Sequence, residues 1–322
     1  MDCQQLVPQT FDLSRYQFGA PQVSGRLSVV PIFGGDRPGQ FTSPLSGLKL
    51  NRVAGYGSVE LSNPSREGVA IVPLHIGYVQ DQAQNHALCR SAFIAAGQKL
   101  MFEDACCVQE SQGGYLEGRE QWFFILPLQL RSPALEVRHQ ASYSKLWGKI
   151  SELNRDFGLS DRGHLEQIIT RKRGFLTQYQ SRLEYLNGQT GALFFLDDKL
   201  AGIEIAPTAA YFQELWMPLV CFCYGVAAFK DEAVRKPIAE PFPVKSLGEL
   251  RESLQASRQQ LQQTVQENLA KTPQQTFEVR EEERFLNLRL KTAIGDQFAG
   301  QFVEADDELI YASLFAKPEY LN

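Results

Sequence analysis

The strongest constraint on the fold is a change in the spacing of apolar residues near Pro133. Up to Arg131, short apolar runs alternate with turn-forming segments such as residues 63–68, NPSREG. Closely spaced short runs are typical of antiparallel sheets and sandwiches. After Pro133, Leu146 and Ile150 begin a helical spacing. The pattern predicts the α+β class, with a strand-rich antiparallel sheet or sandwich in the N-terminal half packed with helices from the C-terminal half.

A single domain over residues 1–322 is predicted, and it is divided into four parts by these changes in pattern. The parts are a strand-rich part (1–132), helices and a hairpin (133–240), a linker with an amphipathic helix (241–275) and closing strands (276–322). The hairpin is predicted because the polar turn Asp197-Asp198-Lys199 separates two apolar runs.

Composition and charge exclude several classes of function. With 43% hydrophobic residues the chain can bury a large core, and 32 basic against 37 acidic residues argue against a nucleic-acid partner. No apolar run reaches the roughly 20 residues that span a bilayer, so no membrane contact is expected. The N-terminal sequence lacks a secretory pattern, and the six cysteines lack the spacing of a disulfide scaffold. A cytoplasmic, reducing location is therefore expected.

Two adjacent cysteines occur in residues 104–111, DACCVQES. Neighbours on a strand point to opposite faces, so Cys106 is expected in the core and Cys107 at an accessible polar surface. The alternative makes Cys107 a nucleophile with His86 as its base, which requires a lowered thiol pKa. Neither histidines nor cysteines show the spacing of a metal site, so no metal and no cofactor are predicted.

Residues 84–115, QNHALCRSAFIAAGQKLMFEDACCVQESQGGY, resemble the signature of a known family. It is the ARG (ADP-ribosylglycohydrolase) and rhodanese-phosphatase-superfamily-associated protein domain, and the likeness continues through residues 146–158, LWGKISELNRDFG. The resemblance implies an α+β domain of prokaryotic conflict-type systems, beside ADP-ribose and phosphate chemistry, with no established reaction. His86 stands where the family's arginine is expected, and Tyr115 replaces its tryptophan. An altered or lost activity is therefore one expectation.

Seven residues near the ends of predicted adjacent strands form a candidate binding site, called here the polar strand-end group. They are Gln84, Asn85, His86, Cys107, Gln109, Glu110 and Tyr115. Amide side chains carry both donors and acceptors, which suits a polar ligand or a peptide backbone. The alternative is that the amides only satisfy turns. No catalytic residue is assigned.

Two functions are compatible with this group. The favoured one is a noncatalytic recognition or adaptor module that binds a protein partner or a nucleotide-like small ligand. The other is an enzyme acting on ADP-ribose or a related nucleotide, with Glu110 as general base and Asn85 orienting the substrate.

A third function, a structural subunit, follows from the helix predicted for residues 246–271. Ser246 is a favourable cap, and Leu250, Leu254 and Leu261 lie on one thin apolar stripe. Such a stripe either packs on the chain's own core or supports self-association. The sequence leaves the oligomeric state open.

Overall fold

The computed structural model of the chain describes residues 13–79, 84–110, 122–232 and 245–321. Strands and helices are interspersed along it, and the predicted α+β class is confirmed. Its strands are β1 Gln17–Phe18, β2 Gln22–Ser24, β3 Leu27–Phe33, β4 Phe41–Thr42, β5 Lys49–Gly55, β6 Ser58–Ser62, β7 Val69–Ile71, β8 Ile76–Val79, β9 His86–Ala87, β10 Phe93–Ala95, β11 Lys99–Phe102, β12 Cys106–Cys107, β13 Trp122–Ile125, β14 Gln189–Leu196, β15 Lys199–Ile205, β16 Glu278–Phe285, β17 Leu288–Ile294, β18 Phe298–Ala305 and β19 Glu308–Ala316.

The helices lie mostly between β13 and β16. They are α1 Pro44–Gly47, α2 Leu128–Glu136, α3 Trp147–Asp156, α4 Glu166–Arg171, α5 Arg173–Leu176, α6 Gln178–Arg182, α7 Ala209–Met217, α8 Tyr224–Glu232, α9 Leu247–Lys271 and α10 Pro318–Leu321, with a π-helix, Pro218–Cys223, between α7 and α8.

The main sheet combines strands from three of the predicted parts. Its order is β1-β3-β14-β15-β19-β18-β17-β16, with β2 beside β3, and all of these pairs are antiparallel. The other N-terminal strands form three small sheets, β10-β7-β4, β11-β6-β5 and β12-β9-β8-β13, of which only the β4–β7 pair is parallel among the described strands. The strand-rich half is therefore spread over four sheets.

Each face of the main sheet has its own apolar layer. One layer joins the sheet to α2, α3, α7 and α8, and the other lies on the opposite face, where Val265 and Leu269 of α9 pack. The stretch Ala209–Lys230 is long and apolar enough to cross a membrane, but 78% of its most apolar window is buried inside the molecule. Packing in the core therefore accounts for its composition.

Local sequence signals decide several elements. The predicted hairpin is confirmed, since β14 and β15 pair around Asp197, which adopts φ 54° in the turn. The predicted cap is confirmed too, because the Ser246 hydroxyl accepts the Glu249 N–H at 3.1 Å. The strand pattern predicted through Arg131 is wrong at its end, where α2 forms instead. A short run of bulky apolar residues fits either element, and the helix is what brings Arg131 against the sheet.

Arg131 is fully buried and binds groups from several elements. Its Nη1 lies 2.5 Å from Oε1 of Glu204 on β15, and Nη2 donates to the Ser313 hydroxyl on β19. The Tyr224 hydroxyl donates to the same Glu204 oxygen at 2.7 Å. Burial by itself lowers the pKa of the guanidinium, but Glu204 more than offsets this, so the pKa is raised. The guanidinium therefore stays charged in the core.

Removing one partner of this ion pair is expected to destabilise the protein strongly. Arg131→Met leaves the Glu204 carboxylate buried without its cation, and Glu204→Gln leaves the guanidinium uncompensated. Such a change costs about 3–5 kcal/mol of unfolding free energy. Urea unfolding followed by circular dichroism measures the loss.

Arg155→Ala is the matched control. The Arg155–Asp161 pair is exposed, with 63% and 55% of the side chains accessible, so solvent screens it and the unfolding midpoint is expected to stay near the native value. An Arg131→Met midpoint as close to native as that of the control contradicts the role of the buried pair.

Candidate functional site

Two very short strands bring most of the polar strand-end group together. β9 and β12 pair with Cys107 opposite His86 and Cys106 opposite Ala87. Just beyond the strands, the backbone N–H of Asn85 donates to Oε1 of Gln109 at 3.1 Å. Tyr115 lies outside the described residues.

His86 is held in one tautomer by two hydrogen bonds. Its Nδ1 lies 2.7 Å from the Gln84 carbonyl oxygen, which can only accept, so this nitrogen carries the proton. Its Nε2 accepts the Gly57 N–H at 3.3 Å. The ring is 2% exposed, and burial lowers its pKa. His86 is therefore a neutral ring with both nitrogens engaged.

Cys107 does not lie at an accessible surface, and that prediction is wrong. The residue has no exposed area, and its Sγ lies 3.2 Å from the Gln109 carbonyl oxygen. The face opposite the core is covered by the segment that leads into α3, where Trp147 Nε1 donates to the Cys107 carbonyl oxygen at 3.0 Å. Burial raises the pKa of the Cys107 thiol, which is the reverse of what a nucleophile requires.

Glu110 is exposed, but its carboxylate anchors the backbone. Oε2 accepts the Gly163 N–H at 2.5 Å, and the Glu110 N–H donates to the Gly163 carbonyl oxygen at 3.0 Å. A side chain on Gly163 has no room, because a Cβ there would lie 2.5 Å from Cβ of Trp147. Glu110 thus fixes the loop behind Trp147.

The exposed part of the site is aromatic, and the sequence reading missed it. Tyr56, Tyr143 and Trp147, called here the aromatic rim, form a continuous ladder with ring centroids 4.9 Å and 5.5 Å apart. Tyr56 is 57% exposed and Tyr143 36%. The Tyr143 carbonyl oxygen accepts the Cys107 N–H at 2.8 Å, so the rim sits directly on the polar strand-end group. Tyr143 and Trp147 are four residues apart, but Tyr56 lies far upstream, and no local pattern joins it to the other two.

Gly57 is what allows the turn beneath Tyr56. It adopts φ +80°, and a Cβ there would come within 3.2 Å of both the Ala105 carbonyl oxygen and the Cβ of Tyr143. Its N–H is the donor to His86. The glycine therefore couples the rim to the buried histidine.

Among the residues that the structure describes, no group of three or more His, Cys, Asp or Glu side chains is arranged to hold a metal ion. The donors at the strand ends are mainly amide and backbone groups that bind one another.

Comparison with models of known protein families identifies the family of the chain. A model of the ARG and Rhodanese-Phosphatase-superfamily-associated Protein domain, ARPP-1, matches residues 15–315. The chain belongs to this family. The resemblance seen in residues 84–115 is thereby confirmed, and the family's name associates its members with ARG and rhodanese-phosphatase superfamily proteins. No curated protein and no solved structure matches the chain.

The buried histidines give the protein an acid-sensitive stability. Burial lowers the pKa of His86, and burial with the nearby positive charge of Arg131 lowers that of His75. Below about pH 6.5 these histidines therefore bind protons in the unfolded chain that they do not bind in the folded protein. We expect the free energy of unfolding to be constant above this pH and to fall below it, by at most about 1.4 kcal/mol per pH unit for each histidine.

Urea unfolding between pH 7.5 and pH 5, as approximate limits, measures this slope. His86→Gln is expected to reduce it. Asp104 and Glu282, whose pKa values are also lowered, have ordinary values of 3.8 and 4.5 and act only at lower pH. A native slope of zero, or stability that rises on acidification, contradicts the neutral buried rings.

Proposed function

We propose that the chain is a noncatalytic recognition module, an adaptor that binds a protein partner in a prokaryotic conflict-type system. The partner we propose is an enzyme of the ARG or rhodanese-phosphatase superfamily, because the family is named for its association with them. One observation carries the proposal. At the strand ends the polar atoms bind one another inside the protein, while aromatic rings are exposed to solvent.

The engaged polar groups support a noncatalytic role. A general base needs a lone pair within reach of substrate, and a cysteine nucleophile needs a lowered pKa. His86 uses both ring nitrogens internally, and burial raises the pKa of Cys107. Glu110, the base in the rival enzyme reading, accepts the Gly163 N–H. These contacts favour a scaffold for the aromatic rim over a reaction centre.

The rim itself supports recognition of a protein. Tyr and Trp offer a large rigid apolar area with a polar tip, and they are enriched at protein interfaces. Gln84, which contacts His86 and Cys107, is partly exposed and adds an amide to the site. An exposed tyrosine ring can also stack on a nucleobase, which keeps an ADP-ribose-like ligand as the second candidate.

Removing the two exposed rings is expected to abolish partner binding without unfolding the protein. Tyr56→Ala with Tyr143→Ala removes most of the accessible ring area while leaving the backbone contacts of Tyr143 in place. We expect affinity for the partner enzyme from the same genome to fall at least about tenfold, as hot-spot tyrosines do. Isothermal titration calorimetry measures this, and the melting temperature reports the fold.

Phe175→Ala is the control, since it removes another exposed ring, 56% accessible, that stacks on Phe229 away from the rim. The same titration with free ADP-ribose distinguishes the two ligand classes. Native-strength binding of the enzyme by the double variant contradicts the proposal, as does turnover of an ADP-ribosyl substrate by the native chain.

A second proposal concerns assembly, and the exposed part of α9 supports it. Only Val265, Asn268 and Leu269 of this helix are buried, all near its C-terminal end. Leu247 and Leu254 are 84% and 48% exposed. The helix therefore packs on its own sheet at one end and presents an apolar stripe to solvent at the other.

We propose that this stripe pairs with α9 of a second copy in the antiparallel direction. Leu247, Leu254 and Leu261 recur every seven residues, so a two-fold axis at Leu254 sets Leu247 opposite Leu261 of the other copy. The flanks are complementary as well. Glu249, Arg251 and Glu252 precede the axis with a net negative charge and Arg258 follows it, so the antiparallel direction brings opposite net charges together.

Leu254→Asp is expected to convert a concentration-dependent dimer into a monomer with an unchanged melting temperature. The substitution sets two carboxylates against each other at the axis. Sedimentation equilibrium at several concentrations measures the mass. Leu286→Asp is the control, because Leu286 is also an exposed leucine, at 83%, but lies in the β16–β17 turn. A native chain that is monomeric throughout the concentration range rules this pairing out.

A further inference from the structure

Two cysteine thiols lie against each other beside the polar strand-end group. Sγ of Cys89 is 3.5 Å from Sγ of Cys106, and the two residues are 1% and 0% exposed. Cys106 is on β12, opposite Ala87, and Cys89 follows the end of β9. A disulfide has an S–S length of about 2.05 Å, so bond formation requires an approach of roughly 1.5 Å.

The hydrogen bonds of this thiol pair stabilise one of the two sulfurs as an anion. Cys89 donates to Cys106, and Cys106 lies 3.2 Å from the Ala87 carbonyl oxygen, its own acceptor. When Cys89 loses its proton, the Cys106 S–H can turn to the new anion. This hydrogen bond and the positive charge of Lys145 lower the pKa of Cys89, although burial and the Asp104 carboxylate act in the opposite direction. The same bond and burial raise the pKa of Cys106.

Lys145 is fixed above the pair by the backbone. Its ammonium donates to the carbonyl oxygens of Asp104 and Gln140, each at 2.7 Å. The charge is therefore held in place next to the sulfurs without a carboxylate hydrogen-bonded to it among the described contacts.

Burial alone does not explain such a contact between sulfurs. Cys221 and Cys223 in the π-helix are equally buried, and burial raises their pKa values to about 11 and about 12. They are two residues apart, and positions i and i+2 do not face each other on a helix. A metal does not explain the pair either, since no third ligand accompanies it within the described residues.

We propose that Cys89 and Cys106 are a redox-active dithiol that hydroperoxides convert to a disulfide. The Cys89 thiolate attacks a peroxide oxygen, which forms an S–O bond, breaks the O–O bond and releases hydroxide that takes up a proton as water. The Cys106 sulfur then attacks the Cys89 sulfenic acid, which forms the S–S bond and expels the hydroxyl group as water with the Cys106 proton. Two thiols lose two electrons, and one hydrogen peroxide becomes two waters.

The position of the two cysteines explains how a peroxide reaches the sulfurs and what the disulfide changes in the site. β9 and β12 pair over only two residues each, and a peroxide reaches the sulfurs when this pairing opens locally, against the hydrogen bonds of flanking residues such as the Cys107 N–H to the Tyr143 carbonyl oxygen. Hydrogen peroxide is close to water in size. The disulfide ties together the two strands that position His86 and Cys107, and hence the base of the aromatic rim. Oxidation therefore stiffens the proposed recognition site.

Peptide mapping of the native chain after hydrogen peroxide treatment tests the proposal. We expect a cross-linked peptide pair joining Cys89 to the segment between Lys99 and Arg119, lighter by two hydrogen atoms and reversed by dithiothreitol. That segment carries both Cys106 and Cys107, so the variants decide the partner. Cys106→Ala is expected to abolish the cross-link, and Cys107→Ala and Cys221→Ala to retain it.

The Lys145→Met variant tests whether the charge of Lys145 controls the rate of cross-linking. If the two sulfurs are only in structural contact, removing this charge does not change the rate. Loss of the fixed charge is expected to slow cross-linking several-fold at pH 7 and to shift the rise of its rate to higher pH. The proposal is overturned if the native chain forms no bridge, if the bridge survives in Cys106→Ala, or if Lys145→Met leaves the pH profile of the rate unchanged. These outcomes are independent of partner binding by the aromatic rim.

Discussion

Inside the junction of α2, β15, β19 and α8, the guanidinium of Arg131 lies against Glu204 with no access to solvent. Its Cζ also lies over the Phe315 ring, 4.5 Å from the centroid. Charges in such surroundings are stable only together and with their hydrogen bonds satisfied. The pair therefore fixes how α2 meets the main sheet, and the sheet in turn fixes the helical layer around the strand ends.

At the strand ends, the polar atoms bind one another inside the protein and the aromatic rings are exposed to solvent. Hydrogen bonds between backbone and side chain use the polar atoms of His86, Gln109 and Glu110, and they hold three turns in place. The rings of Tyr56 and Tyr143 are what these turns present to solvent. A buried polar network of this kind is costly unless satisfied, and once satisfied it specifies one arrangement. Under the proposed function, this fixed arrangement lowers the entropy lost when the partner binds.

The sequence predicts those elements that depend on interactions between residues close together in the chain. The Asp197-Asp198 turn between two apolar runs predicts the hairpin, and Ser246 ahead of the apolar stripe predicts the start of α9. Long-range features were out of reach. Strand alternation predicts that the side chains of Cys106 and Cys107 point to opposite faces of the strand. It does not predict that Trp147 covers the face on which Cys107 lies. The partner of Arg131 lies on a strand 73 residues away, and no spacing rule links them.

The most direct measurement of the central claim is the protonation state of His86 by nitrogen-15 NMR of its ring at neutral pH. The claim is that the strand-end group is an internal scaffold for a binding surface. It requires a neutral ring with the proton on Nδ1, bound to the Gln84 carbonyl oxygen, and an accepting Nε2, bound to the Gly57 N–H. That tautomer, persisting below pH 6.5, is the predicted result. An imidazolium paired with a Cys107 thiolate at pH 7 would contradict the account, because such an ion pair is the resting state of a nucleophile.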